Sequence, residues 1–205
     1  LPVFISSLKQ LTSTMDFAVN FLGDSGLKRY LLVFQNDNEI RATGGFMGSF
    51  ALVDLRDGQI DKISLPPGGT YDLRYNFKYI LKPPTPLALV NSRFELQDAN
   101  WWPDWPTSAK AIEWFYNKSG GPTIDGVIAV NSNWLSELLK VTGPIDLPQS
   151  GKTISAENFE MELQQSIELE ATQKNQPKKI LADLAPKLLA KILTLPAEQF
   201  LPLAA

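Results

Sequence analysis

A polar segment between two apolar runs holds the first group of residues that could carry chemistry. Residues 35–49 read QNDNEIRATGGFMGS. Arg41 presents a planar guanidinium that suits a phosphate or a carboxylate, and a glycine pair lets backbone amides approach a ligand closely. The candidate ligand contacts beside Arg41 are Asn36, Glu39, Gly44 and Gly45. The alternative is a polar turn in which Arg41 forms a surface ion pair with Glu39.

A tryptophan-rich segment, DANWWPDW at residues 98–105, is the second group. Its carboxylates, Asp98 and Asp104, lie beside aromatic residues, and such a set suits a sugar or a hard cation such as Mg²⁺. The candidate ligand contacts here are Asn100, Trp101 and Trp102. The alternative is structural: the tryptophans close the core from outside, and Asp104 caps the helix that follows.

Basic side chains form the third group. If they converge in the fold, they would bind an anion. The members are Arg41, Arg74, Arg93, Lys178 and Lys179. For the two lysines the alternative is a solvated surface.

The composition excludes several classes of protein and of site. The chain has 205 residues, no cysteine, no histidine and a net charge of −3. The two missing residue types exclude a Cys/His zinc site, a cysteine nucleophile and a Ser-His-Asp triad. The acidic balance argues against a nucleic-acid partner. No apolar run is long enough to span a membrane, so we expect a membrane link only through a segment outside this sequence.

The elements that must position these groups alternate along the chain. Apolar spacing predicts a helix over 3–22 and a buried strand over 29–34. A second strand follows the glycine pair, and Asp57-Gly58 predicts a hairpin turn into a third strand over 59–65. Residues 66–106 are irregular, and a segment of this length is usually functional.

The second half of the chain predicts more helices than strands. A helix begins at Pro106, a strand covers 123–130, and Asn131 or Ser132 caps the next helix. A short strand over 145–147, a helix capped by Ser155 and a last helix beginning near Pro177 complete the pattern. This order predicts an α/β fold with three layers, α/β/α, around a mixed central sheet.

We expect three segments in this chain. An N-terminal helix occupies 1–28 and could follow a membrane anchor, a single α/β domain occupies 29–195, and a C-terminal tail occupies 196–205.

Four long motifs, in order, resemble the family of domain of unknown function 4012. They are QNDNEIRATGGFMGSFALV, DANWWPDWPTSAKAIEWF, TIDGVIAVNSNWLSELLKVTGPIDLP and the segment from Thr153 to Leu193. The order of ISLPPGGTYD, a helix ending in Gly-Gly and the IDGVIAV unit is also distantly similar to the LytR-CpsA-Psr domain, whose members transfer glycopolymers from polyprenyl-pyrophosphate carriers. Two motifs depart from that second family: Pro67-Gly68 replaces an Arg-Asp pair, and the lysine pair replaces an arginine-rich motif.

The two resemblances together imply a LytR-CpsA-Psr-like fold and an extracytoplasmic domain on a bacterial membrane. The implied ligand is a polyprenyl-phosphate-linked glycan or a cell-wall polymer, bound with or without Mg²⁺-dependent phosphotransfer. On that expectation Arg41, Arg74 and Asp98 are catalytic, and Asp98 and Asp104 hold the metal ion. The alternatives are a non-enzymatic binding or scaffolding module of the envelope and, third, a glycosidase that uses the two aspartates.

Overall fold

The computed structural model describes residues 2–66, 68–172, 179–196 and 198–199. Pro67, Lys178 and most of the expected C-terminal tail lie outside these residues. The helices are α1 (Pro2–Phe21), α2 (Trp105–Lys118), α3 (Ser132–Thr142), α4 (Phe159–Thr172) and α5 (Lys179–Thr194). The strands are β1 (Lys28–Asn36), β2 (Phe46–Arg56), β3 (Gln59–Ser64), β4 (Gly126–Asn131), β5 (Ile145–Leu147) and β6 (Lys152–Ile154).

The central sheet has four strands in the order β3-β2-β1-β4. β1 runs antiparallel to β2 and parallel to β4, so the prediction of a mixed sheet is confirmed. The predicted hairpin between β2 and β3 is also present. Asp57 and Gly58 both have positive φ angles, 51° and 74°, as the tight turn between twisted strands requires.

Helices cover both faces of this sheet. Successive side chains of a strand point to opposite faces, so β1 contributes residues to two separate clusters. Leu31 and Val33 of β1 pack into the cluster that contains Ile112 and Phe115 of α2. Phe34, on the other face, packs with residues of α3 and α5. The prediction of an α/β fold in three layers is therefore confirmed.

The helix α1 stands apart from both clusters, and its described side chains from Ile5 to Asn20 are exposed. Its end is fixed to the β2–β3 hairpin, since the Leu22 carbonyl accepts a hydrogen bond of 3.0 Å from the Gly58 amide. Within the described part of the chain, no helix combines the length and apolar character needed to cross a membrane.

The irregular segment contains short 3₁₀ turns at Gly69–Leu73, Leu87–Leu89 and Leu96–Asp98. Two local predictions differ from the structure. The helix expected to be capped by Ser155 starts at Phe159. Residues 156–158 form a turn in which the Ser155 carbonyl accepts from the Phe159 amide at 3.0 Å and the Asn158 side chain accepts from the Ser155 amide at 2.8 Å. The strand β6 was not predicted, and it pairs antiparallel with the predicted strand β5.

Candidate functional site

A cavity of about 450 Å³ opens where β1 and β4 end and β2 begins. It lies outside the carboxyl ends of two parallel strands and beside the start of α3, the usual position of ligand sites in open α/β sheets. One side is polar and is formed by Gln35, Asn36, Glu39, Arg41, Tyr71, Asn91 and Ser132. The other side is apolar and includes Phe34, Val130, Leu135, Leu163 and Leu181.

Next to the apolar side lies a second space of about 220 Å³ between the sheet and the helices α3 and α5. The two spaces share four lining residues, Phe34, Val130, Leu135 and Leu181. The inner space is lined almost entirely by apolar side chains, among them Leu32, Ile128, Leu138, Leu184, Leu188 and Ile192. A polar opening thus borders an apolar interior.

Of the described residues that line this opening, Arg41 is the one with a positive charge. Its Nη2 atom lies 3.7 Å from Oδ1 of Asp98, and its guanidinium stands 4.9 Å from the ring centre of Phe46. Nη1 donates to the Ile40 carbonyl at 2.9 Å, and Nε has no hydrogen-bond partner in the described part of the chain. Nε is buried, but the side chain as a whole is 25% exposed, so part of the guanidinium is accessible from the cavity that it lines.

The surface ion pair between Arg41 and Glu39, expected as the alternative for this loop, does not form. Glu39 instead accepts a hydrogen bond of 3.1 Å from Nδ2 of Asn36. Both Asn36 and Glu39 line the cavity. The loop is therefore closed by its own polar groups, and Arg41 faces the irregular segment.

Asp98 lies behind the cavity wall and is not part of its lining. Its side chain is 1% exposed, and its Oδ2 accepts a hydrogen bond of 2.7 Å from Nδ2 of Asn91. Burial raises the pKa of this carboxyl, and the nearby charge of Arg41 opposes the rise. Asp98 therefore acts on the cavity through Arg41 and Asn91, both of which line it.

Arg74 and Arg93, the other two arginines of the basic group, converge on a different carboxylate. Nε of Arg74 lies 2.8 Å from Oε2 of Glu95, and Nε of Arg93 lies 3.7 Å from Oε1. Glu95 also accepts from Nε2 of Gln97 at 3.0 Å. Arg74 and Arg93 thus satisfy a buried glutamate that the sequence did not single out, and neither lines the cavity.

The glycine pair serves the chain's own backbone. A Cβ atom at Gly45 would lie 2.5 Å from the carbonyl oxygen of Asn36, so only glycine fits between the loop and the end of β1. The buried Asn100 holds this approach from outside, since its Nδ2 donates to the Gly45 carbonyl at 2.7 Å and to Oγ1 of Thr43 at 2.9 Å. At Gly44, with φ of 114°, the same Cβ would meet only a side-chain oxygen at 3.5 Å.

The tryptophan-rich segment packs against the core and starts a helix. Trp101 packs on the cluster around α2, and Trp102 meets the ring of Phe94 edge-on with 6.2 Å between centres. Asp104 caps α2, accepting from the amide and the hydroxyl of Thr107 at 2.9 and 2.6 Å. These hydrogen bonds lower the pKa of Asp104.

The contacts of the two aspartates do not suit a shared Mg²⁺ site. Asp98 already faces a guanidinium, which repels a second cation, and Asp104 is engaged as a helix cap. Across the part of the chain that the structure describes, no group of three acidic side chains is arranged to hold a metal ion. Lys179 begins α5, and its partner in the lysine pair lies outside the described residues.

One further contact ties the cavity together. The Ser132 hydroxyl, at the start of α3, donates to Oδ1 of Asp37, 95 positions earlier in the chain. The other carboxyl oxygen of Asp37 is buried, with no hydrogen-bond partner in the described part of the chain. Ser132, Tyr71 and Asn91 line the cavity although no local pattern indicated them, because their relevance arises only from tertiary contacts.

A model of one protein family matches residues 25–167, and its description is "Protein of unknown function (DUF4012)". The match covers more than half of the chain and includes β1, the loop between β1 and β2, α2, β4 and α3. No match was found among curated proteins or among solved structures. The chain belongs to the DUF4012 family.

Proposed function

We propose that this domain binds an amphiphile with an anionic head group and a long apolar chain, such as a polyprenyl-phosphate-linked glycan of the bacterial envelope. The observation that carries the proposal is that the two spaces are adjacent and share lining residues. The partly exposed side chain of Arg41 lines the polar opening, and Phe34 and Leu181 line both this opening and the apolar interior.

The polar opening suits an anion because of the donors on its wall. Arg41 can offer charge-assisted hydrogen bonds, which are stronger than neutral ones. The side-chain amide of Asn91, which has two N–H hydrogens and donates to Asp98, lies on the same wall. The hydroxyl of Ser132 also lies there, with its hydrogen donated to Asp37.

The apolar interior suits a prenyl or acyl chain. Its walls are leucine, isoleucine, valine and tryptophan side chains from β1, β4, α3 and α5. Apolar area removed from water contributes about 25 cal/mol per Å², so affinity should grow with chain length until the space is filled. The location that we propose, the outer face of a bacterial membrane, follows from this ligand class and from the resemblances.

A tryptophan-fluorescence titration tests the proposal, because Trp134 lines the apolar interior. We expect farnesyl pyrophosphate to bind saturably, farnesol to bind more weakly and inorganic pyrophosphate more weakly still. Arg41→Lys should weaken pyrophosphate-ester binding without changing farnesol binding. Arg56→Ala, at an exposed arginine where β2 ends, is the matched control and should bind as the wild type does.

Two outcomes of this titration contradict the proposal. One is equal affinity for farnesyl pyrophosphate in the wild type and Arg41→Lys. The other is an absence of saturable binding in the wild type at millimolar ligand. Repeating the series with and without Mg²⁺ tests the expected metal ion, since a true requirement would remove binding in chelator.

A non-enzymatic binding or scaffolding role is the second candidate, and the placement of the arginines favours it. Arg74 and Arg93 pair with Glu95 and do not reach the lining, so Arg41 is left to stabilise charge by itself on the described wall. Phosphotransfer depends mainly on such charge stabilisation. Incubation of a prenyl-pyrophosphate-linked sugar with a glycan acceptor separates the two roles, because only a transferase moves the sugar phosphate onto an acceptor hydroxyl and releases the prenyl phosphate.

A further inference from the structure

We infer that the rim of the cavity, formed by Ile40, Leu89 and Val90, docks on the surface of a lipid bilayer. This inference rests on the proposed function, since it concerns how an amphiphile reaches the cavity. The partner is the bilayer itself, which holds the chain of such a ligand before it is bound.

The rim side chains are unusually exposed for their type. Ile40 is 90% exposed, Leu89 is 86% exposed and Val90 is 81% exposed. Single exposed apolar residues are common on protein surfaces, but a group of them at one opening marks an interaction site.

Two loops bring these residues to the same opening. Arg41, next to Ile40, lies 3.7 Å from one oxygen of Asp98, and Asn91, next to Val90, donates to the other oxygen at 2.7 Å. One buried carboxylate therefore joins the two loops. Their apolar tips flank the cavity that Arg41, Val90 and Asn91 line.

The second loop is held in a fixed shape with its tip outward. Leu87 is buried in the cluster around α2 and anchors the turn. The amides of Val90 and Asn91 donate to the Leu87 carbonyl at 3.1 and 2.9 Å. Leu89 and Val90 are thus presented to solvent by a hydrogen-bonded turn, and no reorganisation is needed for them to enter an interface.

A bilayer fits this rim better than a protein partner does, because apolar residues extend from the rim to the cavity lining. Val90 belongs to both the rim and the lining, and the cavity shares Phe34 and Leu181 with the apolar space between the sheet and α5. A chain leaving the bilayer at the rim would pass from one apolar environment to another. A rim built only for a protein partner has no need of that continuity.

Co-sedimentation with vesicles of equal parts phosphatidylcholine and phosphatidylglycerol tests the inference. We expect wild-type protein to partition onto the vesicles and the double variant Ile40→Ser/Leu89→Ser to partition about tenfold less, because two apolar side chains no longer enter the interface. Ile80→Ser is the matched control. Ile80 is 83% exposed on the same irregular segment and lines none of the described cavities, so its partitioning should stay within about twofold of the wild type.

The same proteins separate this inference from the proposed function. Ile40 and Leu89 do not line the cavity, so the double variant should still bind farnesyl pyrophosphate in solution, while Arg41→Lys should bind vesicles and lose affinity for the soluble ligand. The helix α1, with its own exposed apolar side chains, is unchanged in every variant and adds the same background to each. Vesicle binding that is equal in the wild type and the double variant overturns the inference, and so does a wild type that stays in the supernatant.

Discussion

Replacing Arg41 by alanine should destabilise the fold as well as weaken ligand binding. Asp98 is buried at 1% exposure, and its Oδ1 has no hydrogen-bond partner in the described part of the chain. The guanidinium of Arg41, 3.7 Å away, is the nearby positive charge that opposes the cost of burying this carboxylate. Removing the guanidinium leaves a buried charge with one remaining partner, Asn91.

The expected loss in unfolding free energy at pH 7 is about 1–3 kcal/mol. Breaking a buried ion pair by deleting one partner costs about 3–5 kcal/mol when the charge is left uncompensated. Here the cost is smaller for two reasons. The Arg41 side chain is 25% exposed and stands beyond hydrogen-bond distance, and Asn91 keeps its bond to Asp98.

The pH dependence provides a second, independent signature. Burial raises the pKa of Asp98 in the folded state, and Arg41 limits the rise, so the Arg41→Ala variant should have a still higher folded-state pKa. A raised carboxyl pKa means that the folded state holds the proton more tightly, and stability then falls as pH rises through the window above the unfolded value of about 3.9. The loss caused by Arg41→Ala should therefore shrink as pH is lowered towards about 4.

A double-mutant cycle with Asp98→Asn, measured by urea unfolding, checks this reasoning. The asparagine keeps a hydrogen-bonding group beside Asn91 and removes the charge. In that background Arg41→Ala should cost less than about 1 kcal/mol, which gives a coupling energy of about 1–2 kcal/mol. Additive losses, or a loss that is the same at pH 7 and pH 4, would refute the view that Arg41 compensates the charge of Asp98.

Three further changes test other contacts. Arg29→Ala should lower the free energy of unfolding by about 1–3 kcal/mol at pH 7, because Arg29 donates two hydrogen bonds of 2.7 Å to Asp54 and lowers the pKa of that carboxyl. This contribution is lost as the pH falls through the lowered folded-state pKa of Asp54. The stabilities of variant and wild type, measured by unfolding at decreasing pH, should therefore converge. Gly45→Ala should lower the free energy of unfolding, measured in urea, more than Gly58→Ala does. A Cβ atom at position 45 would lie 2.5 Å from a backbone carbonyl oxygen, whereas no atom lies within 4 Å of a Cβ at position 58. Equal losses would show that the loop around Gly45 adjusts to the added atom. Asp104→Ala should lower the melting temperature through loss of the α2 cap and leave the Mg²⁺ dependence of ligand binding unchanged, and a lost Mg²⁺ response would restore Asp104 as a metal ligand.

The sequence predicted the elements of this fold well, because local patterns determine them. Two or three neighbouring residues determine each of three features: the hairpin at Asp57-Gly58, the start of α2 with Pro106 in its first turn, and the cap of α3 by Asn131. The helix expected directly after Ser155 starts at Phe159, because a turn over residues 156–158 comes first and local propensity does not decide between a turn and a first helical turn.

The site was only partly predictable, because its charges are paired across long stretches of chain. A list of arginines cannot show that Arg74 and Arg93 belong to Glu95 while Arg41 belongs to Asp98. The same limit applies to the glycine pair. Two adjacent glycines indicate that the backbone comes close to another group, but they do not show whether that group is a ligand or the protein itself. In the structure the approach is to the end of β1.

The loop between β1 and β2 is held from three sides, and each restraint comes from a different part of the chain. Ser132 fixes it to the start of α3 through Asp37, Asn100 fixes it to the irregular segment through Gly45, and Asp98 attracts its arginine. Restraints of this kind are costly, since each buries a polar group that must find a partner. A simple surface turn would need none of them, so their convergence on the loop that carries Arg41 is an argument that the position of this guanidinium matters for more than folding. The matched variants above separate these two roles, because Arg41→Lys keeps the positive charge beside Asp98 and removes only the planar fork.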